Sequence, residues 1–221
     1  MPLVYQHNIN ENTRLAVWHI TEPEHFFTVR VPVKKDVSHP HKRLQHLAGR
    51  YLLGFLFEGF PLEEIMIADT RKPFLENEQY HFSISHCGDY AAAIVSRVER
   101  VGIDIELVTE KIERVKHKFT SPDELLFLND EYKAFLHQFD LERQIEQEFL
   151  TMIWSAKETI FKWYGDGQMD FRRHMQLTGA VDFTKDELIS LPFLFTKNEM
   201  RYFTIQAKMF TVFVLAWLHT S

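Results

Sequence analysis

The sequence predicts a mixed α/β (α+β) fold, and three changes of hydrophobic period carry that prediction. Residues 14–20 (RLAVWHI) alternate as a strand does. From 39 to 60, apolar residues recur every three or four positions, with Leu44, Leu47, Tyr51, Leu52, Phe55 and Leu56 on one helix face. Ser38 or His39 enters this helix, Pro40 suits its first turn, and Gly59 and Pro61 end it. Three β-like runs follow at 81–85, 90–95 and 100–105. Gly88-Asp89 and a charged turn at 97–99 join them, so they read as a meander. From Lys111 the pattern is helical, with a restart at Ser121-Pro122. The stretch 123–164 then reads as two or three helices ended by Gly165-Asp166-Gly167. Two last strands are expected at 201–206 and 208–215.

Composition narrows the function classes. The chain has 221 residues, 45% of them hydrophobic and 25% charged, which is enough apolar material for a folded core. Its 25 Lys+Arg against 31 Asp+Glu leave a net charge of −6. That excludes a general nucleic-acid coat, whose affinity comes from a basic surface, while leaving room for a local cationic pocket. The single cysteine, Cys87, excludes an internal disulfide and a cysteine-based zinc site. The first fourteen residues lack a basic stretch followed by an apolar one. The longest apolar run, 209–218, is too short for a membrane span and contains Thr211. A soluble, cytoplasmic protein binding neither nucleic acid nor membrane is expected. Most of the 20 Phe fall on core stripes. His39, His41 and His46 lie close together without a carboxylate at ligand spacing, so surface or phosphate-adjacent roles suit them better than a metal site.

Three groups carry chemistry. In 101–106 (VGIDIE) a strand sends Asp104 and Glu106 to one face and Ile103 and Ile105 to the other. Two such carboxylates repel unless a cation lies between them. Oxygen ligands of this kind suit Mg²⁺, which keeps waters and accepts phosphate oxygens; the ordinary alternative is a solvent-facing strand end. On 154–162 (WSAKETIFK), Glu158 and Lys162 lie at i and i+4, while Trp154 and Phe161 mark a core stripe. A surface ion pair explains Glu158 and Lys162 equally well. In 82–88 (FSISHCG) the polar pair Ser85-His86 ends an apolar strand. Neither Ser85–His86 nor His86–Cys87 suits a nucleophile–base dyad, because a strand turns neighbours to opposite faces.

Taken in order, these segments resemble the 4′-phosphopantetheinyl transferases, in particular the broad-range type that activates peptide and polyketide synthetases. The family pattern is a basic helix, a Lys-Pro turn, a Phe-x-x-Ser-His strand end, a Gly-x-Asp-x-Glu strand and a Trp-x-x-Lys-Glu-x-x-x-Lys helix. Lys42-Arg43 with Arg50, Lys72-Pro73, and residues 82–86, 102–106 and 154–162 match it. Lys118-Phe119 followed by Glu124 is similar to a further family helix start. Two positions depart from the pattern. Arg71 stands where glycine usually precedes the Lys-Pro turn, and Cys87 stands where a second serine is common.

The resemblance implies two similar α/β subdomains in a pseudo-twofold arrangement, residues 1–102 and 103–221, with the ligand in the cleft between. It implies Mg²⁺-dependent transfer of 4′-phosphopantetheine from coenzyme A to a serine of an apo acyl or peptidyl carrier protein, Mn²⁺ also serving. Adenosine 3′,5′-bisphosphate is the other product. Asp104, Glu106 and Glu158 would hold the metal. Asp104, Glu158 and Lys162 would form the catalytic set, either Glu158 or a metal-bound water taking the serine proton. Arg43, Arg50, Lys72, Ser85, His86 and Lys157 would bind coenzyme A. Phe119, Phe127 and residues 169–171 would rim a carrier groove, and a monomer is expected. A non-catalytic coenzyme A or carrier-binding module and a metal-dependent phosphohydrolase remain the alternatives.

Overall fold

The computed structural model describes residues 2–32, 37–139, 146–183 and 187–220. The chain forms two units. One comprises Met1–Ile105, Lys162–Asp166 and His219–Ser221, and the other Glu106–Phe161 and Gly167–Leu218.

In the first unit, β1 (Leu3–Asn8) and β2 (Thr13–His19) precede the short α1 (Glu24–Thr28) and the long α2 (Pro40–Leu56). A two-stranded ribbon of β3 (Met66–Ile67) and β4 (Pro73–Phe74) leads to β5 (His81–Cys87) and β6 (Tyr90–Ser96). Four strands form an antiparallel sheet in the order β1-β2-β6-β5. Gly88, with φ 53°, supplies the left-handed residue that a two-residue hairpin turn needs at its first position. β7 (Arg100–Leu107) does not extend this sheet, so the expected meander stops at two strands. Side chains join β7 to β5 instead. The hydroxyls of Ser83 and Ser85 accept the backbone N–H groups of Ile103 and Ile105 at 3.2 and 3.3 Å.

His39 caps α2 and Pro40 opens it, since a first-turn residue needs no amide hydrogen. Its buried face is rotated from the expected one. Ala48, Gly49 and Leu53 are buried, whereas Phe55 is exposed and packs at its edge on Trp18. Small residues cause the rotation, because they let the helix approach the sheet closely. A Cβ built on Gly49 would lie 2.5 Å from Ile84 Cγ2, so only glycine fits there. Trp18, Phe27, Leu52, Phe60, Phe82 and Val95 complete this core.

The second unit begins at the end of β7 with α3 (Lys111–Val115) and a 3₁₀ turn at Lys116–Lys118. Next come α4 (Pro122–Phe139), α5 (Glu146–Tyr164), whose last residues count with the first unit, and α6 (Phe171–His174). The expected run of two or three helices over 123–164 crosses 140–145, which lie outside the described residues. Strands β8 (Met175–Leu177), β9 (Asp182–Phe183), β10 (Ile189–Phe195), β11 (Arg201–Met209) and β12 (Phe213–Thr220) complete the chain. They lie in the order β12-β11-β10-β8, with β9 also on β10. The expected strand at 208–215 is split, because residues 210–212 form the β11–β12 turn, closed by Phe210 N–H to Phe213 O at 2.9 Å. The chain is thus mixed α/β. Among the described residues, no helix is long and apolar enough to cross a membrane.

Candidate active site

The best-developed polar cluster of the first unit is built around Asp104. Glycine and isoleucines surround it on β7, and the residue is only 3% exposed. A charge so buried requires compensation. Lys162, in the last turn of α5, brings its ammonium to 2.7 Å from Oδ1. The Ser85 hydroxyl on β5 donates to the same oxygen at 2.9 Å, and Lys162 donates to Ser85 Oγ at 2.7 Å. Asp104 Oδ2 is buried with no hydrogen-bond partner. The carboxylate is therefore asymmetric, one oxygen saturated and the other uncommitted. His86, next along β5, is exposed. Desolvation by the groups packed near its ring, and then the Lys162 ammonium, lower its pKa. Its ring centroid lies 6.1 Å from that of His46, and His46 Nδ1 is 2.8 Å from an Arg50 guanidinium nitrogen. Burial also lowers the pKa of Arg50.

The remaining expected cations already have partners in their own chain. Arg43 pairs with Glu24, Nη2 donating to Oε2 at 2.8 Å and Nε lying 2.8 Å from Oε1. Lys72 donates to the Trp163 carbonyl at 3.1 Å, and Arg100 donates to the Tyr164 carbonyl while stacking over the Trp163 ring. Two cations thus sit on the carbonyl end of α5, where the helix dipole favours positive charge. Gly165 follows with φ 82°. A Cβ there would meet Lys72 Cδ at 2.6 Å, so this glycine serves both the chain reversal and the lysine's path. Lys72, Arg100, Phe74, Tyr80, Phe82 and Asp166 line a cavity of about 530 Å³ in this unit.

Burial, followed by repulsion from Arg100, pushes the Lys72 pKa down to about 8, against an ordinary 10.5. Between those values the unfolded chain binds more protons at this site than the folded one, so stability rises with pH across that window. Lys72→Met should remove this rise. Melting temperatures of both proteins across pH 8 to 10.5 measure it, and parallel curves would refute the assignment.

In the second unit the Glu106 carboxylate accepts from Trp154 Nε1 at 3.1 Å, and Glu158 lies half-buried on α5. Lys157 departs from the expectation of a ligand-binding cation. Its side chain is 0% exposed, and its ammonium donates to Glu124 Oε2 at 2.7 Å, Phe119 O at 2.6 Å and Phe171 O at 3.3 Å. Those bonds use its three donors, so none is left for coenzyme A. Burial lowers its pKa, with Glu124 opposing. Glu124 Oε1 in turn accepts the Leu177 amide, so the pair ties α4, α5 and β8 together. Phe119 is also corrected. It is fully buried against Trp154, at 5.2 Å between ring centroids, and cannot rim a groove. Phe127, Met169 and Phe171 are half-buried.

The resemblance calls for a divalent cation, and the donors suit one. They are carboxylate oxygens, and the orphaned Oδ2 of Asp104 is a buried acceptor of the kind a cation satisfies. Among the described residues no three His, Cys, Asp or Glu side chains form a ready-made cage. Mg²⁺ does not require one, because it is commonly held by one or two carboxylates together with substrate phosphates.

Residues 100–197, from β7 through β10, match the family model of the 4′-phosphopantetheinyl transferase superfamily. Over this segment the chain is similar to that superfamily. It is also 32% identical over 124 residues to enterobactin synthase component D of Escherichia coli (strain K12), covering 55% of this chain and 54% of the relative. The protein of the same name from Salmonella austin is 28% identical over 125 residues, covering 57% and 49%. The chain spans about half the length of the curated relatives it matches.

Sequence reading missed three groups that shape the site. Ser83 stands two residues before Ser85, and the alternation S-x-S was the available signal. Arg100 belongs to a strand start and gave no sign that it caps α5. Glu124 was visible in a motif, yet its partner Lys157 is 33 residues away and only packing pairs them.

Proposed function

We propose that the protein is a 4′-phosphopantetheinyl transferase, moving phosphopantetheine from coenzyme A to a serine hydroxyl of an apo acyl or peptidyl carrier protein. The observation that carries this reading is the buried Asp104, one oxygen bonded to Lys162 and Ser85 and the other uncommitted. In the reaction a bond forms between the serine oxygen and the pantetheine-side phosphorus. The bond to the leaving phosphate breaks, releasing adenosine 3′,5′-bisphosphate. Such transfers rest on positioning and electrostatics, because negative charge spreads over the phosphoryl and leaving oxygens. Asp104, Glu106 and Glu158 would hold Mg²⁺ or Mn²⁺, which would supply Lewis-acid stabilisation of the pyrophosphate. Lys162 offsets charge on the transferred phosphate from its place beside Asp104. Glu158 takes the serine proton on its carboxylate. His86, Arg50 and Lys72 face the nucleotide phosphates, and Arg43 contributes to the same field through a guanidinium balanced by Glu24. The likeness to a named component of a synthase supports an acceptor that belongs to a synthase assembly. The enzyme acts as a soluble monomer in the cytoplasm.

Incubation with coenzyme A, Mg²⁺ and a panel of apo carriers, read by intact mass, tests the proposal. A phosphopantetheine mass gain on at least one carrier is the expected result. Coenzyme A binding with no gain on any carrier would leave a binding module. Release of adenosine bisphosphate without an acceptor would indicate a hydrolase.

A further inference from the structure

Ser85 matches the family's strand-end serine, which the resemblance assigns to coenzyme A. Its hydroxyl in this protein is already fully used. A hydroxyl has one proton to donate and two lone pairs to accept with. Ser85 donates to Asp104 Oδ1 at 2.9 Å, accepts from Lys162 Nζ at 2.7 Å and accepts the Ile105 amide at 3.3 Å. The residue is 6% exposed. Nothing remains with which to grip a phosphate.

We propose that Ser85 is a positioning residue that sets Asp104 as a single-oxygen metal ligand through Oδ2 and holds Lys162 against it. The proposal rests on the metal-dependent reading above. Three features support it. Both oxygens of a free carboxylate compete for a cation, whereas here Oδ1 is saturated by Ser85 and Lys162. The remaining oxygen, Oδ2, is buried and unpartnered, so its orientation is imposed on it. Finally, the Ile105 amide bond anchors Ser85 to the strand that carries Asp104, so hydroxyl and carboxylate move together. Hydrogen-bond partners of metal ligands commonly govern affinity in this way.

The fold contains its own control. Ser83 accepts the Ile103 amide at 3.2 Å with the same geometry, yet has no bond to Asp104. Mn²⁺ would be titrated into the full chain with coenzyme A present, followed by electron paramagnetic resonance, with coenzyme A affinity measured separately by calorimetry. Ser85→Ala should weaken Mn²⁺ binding by about tenfold or more, the usual cost of losing such a partner. Coenzyme A affinity should change little. Ser85→Cys, which fills the space with a poor hydrogen-bonding group, should show the same loss, and Ser85→Thr should restore binding. Ser83→Ala should bind Mn²⁺ as the parent does. If Ser85→Ala folds poorly, the Cys and Thr variants decide the matter. Parental Mn²⁺ affinity in Ser85→Ala or Ser85→Cys, with weakened coenzyme A binding, would overturn the inference and make Ser85 a phosphate contact. Equal Mn²⁺ binding by the parent and Asp104→Asn would overturn the metal reading itself, and this inference with it.

Discussion

Asp104→Asn should lower kcat/KM for carrier modification by about a thousandfold or more. Lewis-acid stabilisation is worth several kcal/mol, and each ~1.4 kcal/mol is a factor of ten in rate. The substitution keeps the side chain's shape and one acceptor oxygen, so Ser85 and Lys162 retain a partner. Removing the negative charge from beside Lys162 costs little, because that side chain is 25% exposed and can turn to water. Melting temperature and circular dichroism should therefore stay close to the parent's. Intact-mass kinetics with the best acceptor of a carrier panel make the measurement. Activity within tenfold of the parent would remove Asp104 from the chemistry and with it the central element of the proposed site.

Lys157→Met should instead strike stability. Breaking a buried ion pair leaves the other charge uncompensated, at a cost of about 3–5 kcal/mol. For a chain of this size that lowers the melting temperature by roughly 6–20 °C. Glu124 and the carbonyls of Phe119 and Phe171 would all lose their donor at once. Coenzyme A affinity, measured well below the melting transition, should be unchanged. The opposite outcome, normal stability with weakened coenzyme A binding, would return Lys157 to the role that its motif suggests. The double variant Lys157→Met/Glu124→Gln should recover part of the loss, since no unpaired charge is left. It should not recover all of it, because Glu124 also serves the Leu177 amide.

These two predictions show where sequence reading succeeds and where it stops. Asp104 was legible because a strand's period of two separates it from Ile103 and Ile105 and because the surrounding motif is specific. Lys157 was misplaced because a motif groups neighbours in sequence, whereas a helix distributes them around its axis. Lys157 and Lys162 are five residues apart, roughly 140° around a helix at 100° per residue, and so serve opposite faces. The strand β10 was missed for a different reason. Pro192 within 190–195 (SLPFLF) argues against an interior strand. In the fold Pro192 falls between the pairing of β9 at 189–190 and of β8 at 193–195, where the missing amide hydrogen is not needed. The meander failed at β7 because periodicity identifies strands but not their partners, and here serine hydroxyls take the place of a backbone ladder.

The sequence by itself determined the mixed α/β class, the positions of α2, β5, β6, β7 and α5, and the acidic residues that share a strand face. Those follow from local rules, in which period, capping and turn chemistry act over a few residues. The tertiary structure decided which cation meets which anion. Lys162 reaches Asp104 across 58 positions of chain and Ser85 across 77, while Lys157 is spent on Glu124. Such pairings depend on which face each element buries, and small residues such as Gly49 set that face as much as large apolar ones do. No local pattern records them.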